Sequence, residues 1–116
     1  MILKTIIAGT RDISWEEFVI QWNKIPKEIR ASITEVVSGG ARGPDQHGEC
    51  VARRCKAPIK RFIPEWHIHG KKAGMLRNAQ MALYADQAII FWDGESRGTK
   101  HMIDCMKKKG KPCYVY

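Results

Sequence analysis

The sequence predicts an α/β fold: one domain, residues 1–116, with five parallel strands in the order 3-2-1-4-5 and helices on both faces. Two observations predict it. Short apolar runs alternate with stretches of helical periodicity along the whole chain, the pattern of strands joined by helical crossovers. Right-handed crossovers in a doubly wound layout then put the first strand in the middle of the sheet. No linker, repeat or low-complexity segment interrupts this alternation.

The elements follow in order. Leu3 to Ala8 reads as a buried strand, and Gly9-Thr10-Arg11-Asp12 leaves it. Ser14 and Glu17 form a capping box ahead of Trp15, Phe18, Val19 and Trp22 at helical spacing. Pro26 ends that helix or opens a short turn. Ile33 to Val37 is the second strand and runs into Ser38-Gly39-Gly40-Ala41-Arg42-Gly43-Pro44-Asp45. Pro44 suits the first turn of a helix reaching about Lys56. Ile59 to Ile63 is a short basic strand, and Pro64 to Gly70 reads as a loop. Lys72 to Tyr84 reads as a helix with Met75, Leu76, Ala79 and Leu83 on its apolar side. Asp86 to Trp92 is the most apolar strand. A Gly-containing loop follows it, then a helix opened by Gly98 or Thr99 that runs to Lys109, then a last strand from Pro112 to Tyr116.

Hydrophobic residues at 44% and charged residues at 28% are ordinary globular proportions. No apolar run approaches the roughly 18–20 residues of a membrane span, and Met1 to Lys4 carries no export leader. The expectation is a soluble cytoplasmic protein with no membrane partner. Cys50, Cys55, Cys105 and Cys113 lack metal-knuckle spacing and read as reduced, mostly buried thiols. A net charge of +8 favours polyanionic partners or phosphate ligands over a neutral substrate.

In an open parallel sheet, ligands bind outside the carboxyl ends of the strands, where the strand order reverses. The segments leaving the first, second and fourth strands are Gly9-Thr10-Arg11, Ser38 to Gly43, and Gly94 to Thr99. Each combines Gly, Arg and a hydroxyl residue. Gly admits close approach of a ligand to the backbone, helix-start amides favour an anion, and Arg offers a fork matched to phosphate. Taken singly, each loop reads equally as a tight turn. Together they predict a phosphate-bearing ligand, although neither GxGxxG nor GxxxxGK[ST] is complete.

Ala8-Gly9-Thr10-Arg11, Ser38-Gly39-Gly40-Ala41-Arg42-Gly43-Pro44-Asp45, Pro64-Glu65-Trp66, Gly70 to Gly74 with Arg77-Asn78, Gly98-Thr99, and Gly110-Lys111-Pro112 together resemble the SLOG superfamily. This Rossmann-like group contains the Smf/DprA DNA-processing proteins and LOG-type phosphoribohydrolases, and the chain looks most like its small YspA-type branch. The resemblance implies a nucleotide or NAD-derived ligand, no required cofactor, and contacts from Gly9, Thr10, Arg11, Ser38, Gly39, Gly40, Arg42, Asp45, Arg77, Asn78, Gly98 and Thr99. It also admits a homodimer. LOG-type enzymes use a Glu that falls here on Met102, and a thioether is no general base. Catalysis is therefore left open, with Arg77, Glu95 and Asp45 as candidates for cleaving a nucleotide N-glycosidic bond. Single-stranded nucleic acid is a further alternative partner, permitted by the charge and by tryptophans.

Some residues read structurally. Asp45 suits helix capping as well as a ribose contact. His67-x-His69 lacks further ligands, so no metal site is expected and Trp66 reads as a lid packed on the fold. His47 and His101 read as ordinary helix residues, and Lys107 to Lys111 as a solvated helix end.

Overall fold

The computed structural model describes residues 3–116; Met1 and Ile2, the start of the stretch read above as lacking a leader, lie outside the described residues. The element order is β1 (Leu3–Gly9), α1 (Trp15–Trp22), α2 (Lys27–Ser32), β2 (Ile33–Ser38), α3 (Pro44–Arg54), β3 (Ile59–Arg61), α4 (Trp66–His69), a 3₁₀ turn (Gly70–Lys72), α5 (Ala73–Tyr84), β4 (Gln87–Phe91), α6 (Arg97–Lys108) and β5 (Cys113–Val115). All strand pairs are parallel, and the order is β3-β2-β1-β4-β5 as expected. The order reverses between β1 and β4, which pair from Thr5–Gln87 to Gly9–Phe91.

The pleat splits the core. Ile6, Ala8, Val37, Ala88 and Ile90 face α5 and α6, meeting Met81, Ala82, Met102, Ile103 and Met106. Their neighbours Ile7, Val36, Ile89 and Phe91 point the other way, onto Phe18, Ile25 and Ala52. This period of two puts near-continuous apolar runs between two helical layers. Ser14 caps α1, accepting from the Glu17 N–H at 3.2 Å, while the Glu17 carboxylate lies 3.5 Å from the Ser14 hydroxyl. Lys111 Nζ donates to the carbonyls of Ala82, Leu83 and Ala85 at 2.7–2.9 Å, so it closes the end of α5 instead of standing in solvent.

Five expectations are corrected. Pro26 is the N-cap of a separate helix, α2. The stretch from Pro64 to Gly70 is not all loop: Trp66–His69 is a helical turn, followed by the 3₁₀ turn. The helix α6 starts at Arg97, capped by Ser96, whose Oγ accepts from the Thr99 N–H. On α5 the buried face is Ala73, Asn78, Met81 and Ala82, while Met75, Leu76, Ala79 and Leu83 are exposed. None of the thiols is fully buried; Cys55 is exposed, and all four cysteines are free. No helix among the described residues is long and apolar enough to cross a membrane.

Candidate functional site

Strand ends build the site. At the end of β1, a Cβ on Gly9 would stand 2.1 Å from the Phe91 carbonyl oxygen and 2.9 Å from Pro44 Cγ. Only glycine lets β1 close this tightly on β4 and on the start of α3. The next residue, Thr10, donates its N–H to that same Phe91 oxygen at 2.9 Å. Its buried Oγ1 accepts from the Asp93 N–H at 3.2 Å, tying the β1 and β4 exits together. Asp93 in turn accepts from the Glu95 and Ser96 amides at 2.8 and 2.9 Å. The Ser96 and Glu95 hydrogen bonds hold its carboxyl below the usual value.

Outside these ends lies a cleft of about 700 Å³. Its wall includes Gly9, Thr10, Arg11, Arg42, Asp45, Arg77, Asn78, Gly98 and Thr99. Nine expected residues therefore meet at one opening. Five cations, Arg11, Arg42, Lys71, Arg77 and Arg97, face three carboxylates, Asp12, Asp45 and Asp93. Arg42 is paired with Asp12 at 3.2 Å on the outer surface. Arg11, Lys71 and Arg97 have no ion-pair partner among the described residues.

The second loop behaves differently from the expectation. Its amides are taken by the protein's own side chains. Ser38 Oγ accepts from the Gly40 N–H at 3.0 Å, and the Asp45 carboxylate accepts from the Ala41 N–H at 3.3 Å. Asp45 is thus the resident anion of this loop and does not cap its own helix. Burial pushes its carboxyl up to about 6, against the opposing pull of the Ala41 amide and the Arg77 charge. Arg77 Nη1 donates to the Gly39 carbonyl at 2.8 Å, and a Cβ on Gly39 would stand 2.4 Å from that nitrogen. Burial, aided by the Arg11 charge, weakens the Arg77 guanidinium's hold on its proton, and Asp45 opposes this.

Ser38, Gly39 and Gly40 therefore do not line the cleft. Ser38 is buried and donates to Glu49 at 2.7 Å, Gly39 is covered by Arg77, and Gly40 borders a second hollow of about 590 Å³ with Glu49, Arg53 and Arg61. Gly98 lines the cleft, and a Cβ there would meet no protein atom within 4 Å. Glu95 is exposed and lies outside the cleft wall. Met102, where the resemblance would put the LOG-type Glu, is buried in the core and lines the inner wall of the cleft.

Four residues of the cleft wall were not expected as ligand contacts. Lys71 and Arg97 belong to the Gly70–Gly74 and Gly94–Thr99 segments. Trp66, expected as a lid, stands half-exposed on the cleft rim. His101 is more than a helix residue: it lines the cleft, and its Nδ1 lies 3.2 Å from Asn78 Nδ2. Since Asn78 Oδ1 accepts from Arg77 Nε at 2.9 Å, the Asn78 amide must donate, which puts the imidazole proton on Nε2. His47, by contrast, is a packing residue, its Nε2 2.9 Å from the Ile13 carbonyl oxygen and its ring against Trp15 and Phe18. A floor of side-chain contacts thus runs from Asp45 and Gly39 through Arg77 and Asn78 to His101.

No family model matches the chain, and neither does any solved structure. The Gene 61 protein of Mycobacterium phage D29 is 34% identical to it over 117 aligned positions, covering 94% of this chain and 92% of that protein. With that identity sustained along nearly the full length of both, the chain belongs to the same family as the Gene 61 protein of phage D29.

Proposed function

We propose that the cleft binds a small phosphate-bearing ligand of the nucleotide class, in a sensor or carrier role. One observation carries this reading. At the strand-order switch point, three cations, Arg11, Lys71 and Arg97, border a cleft of about 700 Å³ with neither an ion-pair nor a side-chain hydrogen-bond partner among the described residues, unlike Arg77, which is held by Gly39 and Asn78. Pockets of roughly 300–1,000 Å³ suit small organic ligands. Such unpaired cations favour an anion, and an Arg fork favours phosphate over a simple point charge. The SLOG resemblance supports the same ligand class. The free thiols fit a reducing compartment, so the reading includes a cytoplasmic location.

The test is thermal denaturation with adenosine monophosphate, NAD and cyclic nucleotides at millimolar concentration. A ligand at a hundredfold excess over its Kd adds about 2.7 kcal/mol to stability. For a domain of this size that is a rise in midpoint of roughly 10 °C. No rise with any of them overturns the reading.

A second reading rests on Asp45. A buried carboxyl with its pKa pushed up to about 6, on the wall of a cleft, has the acidity of a general acid. It would serve hydrolysis of a nucleotide N-glycosidic bond with Arg77 holding phosphate. Release of free base from nucleoside monophosphates, abolished by Asp45→Asn, is the expected result; no release removes this reading and leaves the first.

A further inference from the structure

The cleft is not uniform. Arg11 and Arg97 leave the ends of β1 and β4 beside Thr10, whereas Trp66 and Met75 stand where α4 and α5 meet. Trp66 Cη2 lies 3.5 Å from where a Cβ on Gly74 would stand, so the indole rests on the first turn of α5. That leaves 53% of Trp66 in water, beside Met75 at 57% exposed. Trp15, Trp22 and Trp92 are partly buried against the core, whereas Trp66 is exposed and lines the cleft. The cleft therefore presents Arg11 and Arg97 at the strand ends and an exposed aromatic ring and thioether, beside Lys71, on the α4–α5 side.

We infer that Trp66 is the platform on which the ligand's planar heteroaromatic base stacks, so the ligand is a whole nucleotide and not a sugar phosphate or inorganic phosphate. This rests on the reading of the cleft as a nucleotide site. The division of the wall matches a molecule with an anionic group at one end and a flat, weakly polar ring at the other. Stacking on an aromatic face tolerates every base, because each has a π-face, whereas selection among bases needs hydrogen bonds to their edges. Trp66 accordingly separates nucleotides from sugar phosphates and discriminates little between purines of the same charge.

The test is calorimetric titration of the full chain with adenosine monophosphate and with ribose 5-phosphate, in wild type, Trp66→Ala and Trp66→Phe. The side chain is half in water, so both variants should fold, and their unchanged melting midpoints serve as the control. Wild type should bind the nucleotide about tenfold or more tighter than ribose 5-phosphate, in line with stacking contributions of roughly 1–3 kcal/mol. Trp66→Ala should remove that preference and leave the ribose 5-phosphate Kd within about twofold. Trp66→Phe should keep part of the preference. Equal binding of both probes by wild type, or a preference that survives in Trp66→Ala, overturns the inference while the phosphate site stands. If neither probe binds wild type, the nucleotide reading of the cleft falls and the inference falls with it.

Discussion

Asp45 and Glu49 sit one turn apart on α3, both are 4% exposed, and their carboxyl groups are pushed in opposite directions. Burial raises Asp45 to about 6, because the Ala41 amide, the Arg77 charge and the Gly39 amide only partly compensate. At Glu49 burial also works upward, but hydrogen bonds from Arg61 and Ser38, with the Arg61 and Arg53 charges, outweigh it and hold the carboxyl below its ordinary value. The two residues border the two hollows on either side of the Ser38–Gly43 loop. In the Glu49 hollow the charges satisfy one another. In the Asp45 cleft they do not, and cations remain without partners. Incomplete pairing, more than the number of charges, separates a ligand site from a structural ion cluster.

The sharpest check is the pH dependence of Asp45. Its folded-state pKa lies above 3.8, so the folded chain holds that proton more tightly than the unfolded one. Its contribution to stability is complete below pH 3.8 and is lost as pH rises through about 6. The shift corresponds to about 3 kcal/mol, a ceiling for the effect. Wild type should therefore gain stability relative to Asp45→Asn as pH falls from 7 to 4, measured by urea denaturation. A difference that stays flat across that range would break the contrast between the two carboxylates.

Next in size is Arg61→Ala. It strips the buried Glu49 carboxylate of its strongest partner while Arg53 and Ser38 remain. Removing one member of a buried pair costs about 3–5 kcal/mol. Arg61 is half-exposed and solvent screens the pair, so the loss should be a clear fall in stability but well short of that for a fully buried pair. The stabilisation from Glu49, present above its ordinary pKa and lost on acidification, should shrink in this variant. Nucleotide affinity should not change. Lost affinity with intact stability would make the second hollow the ligand site.

The sheet was legible because its signal is redundant. Ile6, Ile7, Ile89 and Ile90 are apolar on both sides of the pleat, so any reading of the period gives a buried strand, and the crossover rule then orders the strands. The face of α5 was not legible, for a physical reason. Met75, Leu76, Ala79 and Leu83 form one helical stripe, and Ala73, Asn78, Met81 and Ala82 form another. Periodicity follows apolar side chains alone, but the face packed against β1 and α6 includes the polar Asn78 beside Met81 and two alanines. Asn78 can be buried because the Gly98 carbonyl and His101 occupy its amide. The short α4 between Pro64 and Gly70 gave no period at all. In the site, the glycine segments located the opening. They could not show that the second loop's amides are already filled, since that depends on where the Asp45 carboxylate turns. Arg97 and Lys71 lie inside segments that the sequence singled out, but neither was named as a contact, because the segment pattern does not show which of its cations turns toward the opening.

The smallest effects come from two arginines that line the same cleft. Arg42 and Asp12 are 69% and 86% exposed, so their ion pair is screened and both side chains lose rotamer freedom in forming it. Arg42→Ala should change stability by no more than about 0.5 kcal/mol. Arg97 has no ion-pair partner to lose, so Arg97→Ala should be equally neutral for folding. Their effects on the ligand should differ. Removing a charge-assisted hydrogen bond to phosphate costs roughly 1.5 kcal/mol or more, about tenfold in Kd. Arg97→Ala should show that loss in calorimetric titration with adenosine monophosphate. Arg42→Ala should show less, because Asp12 already holds part of its field. Equal losses at both would mean that net charge alone draws the ligand, and the distinction between paired and unpaired cations would then carry no information about the site.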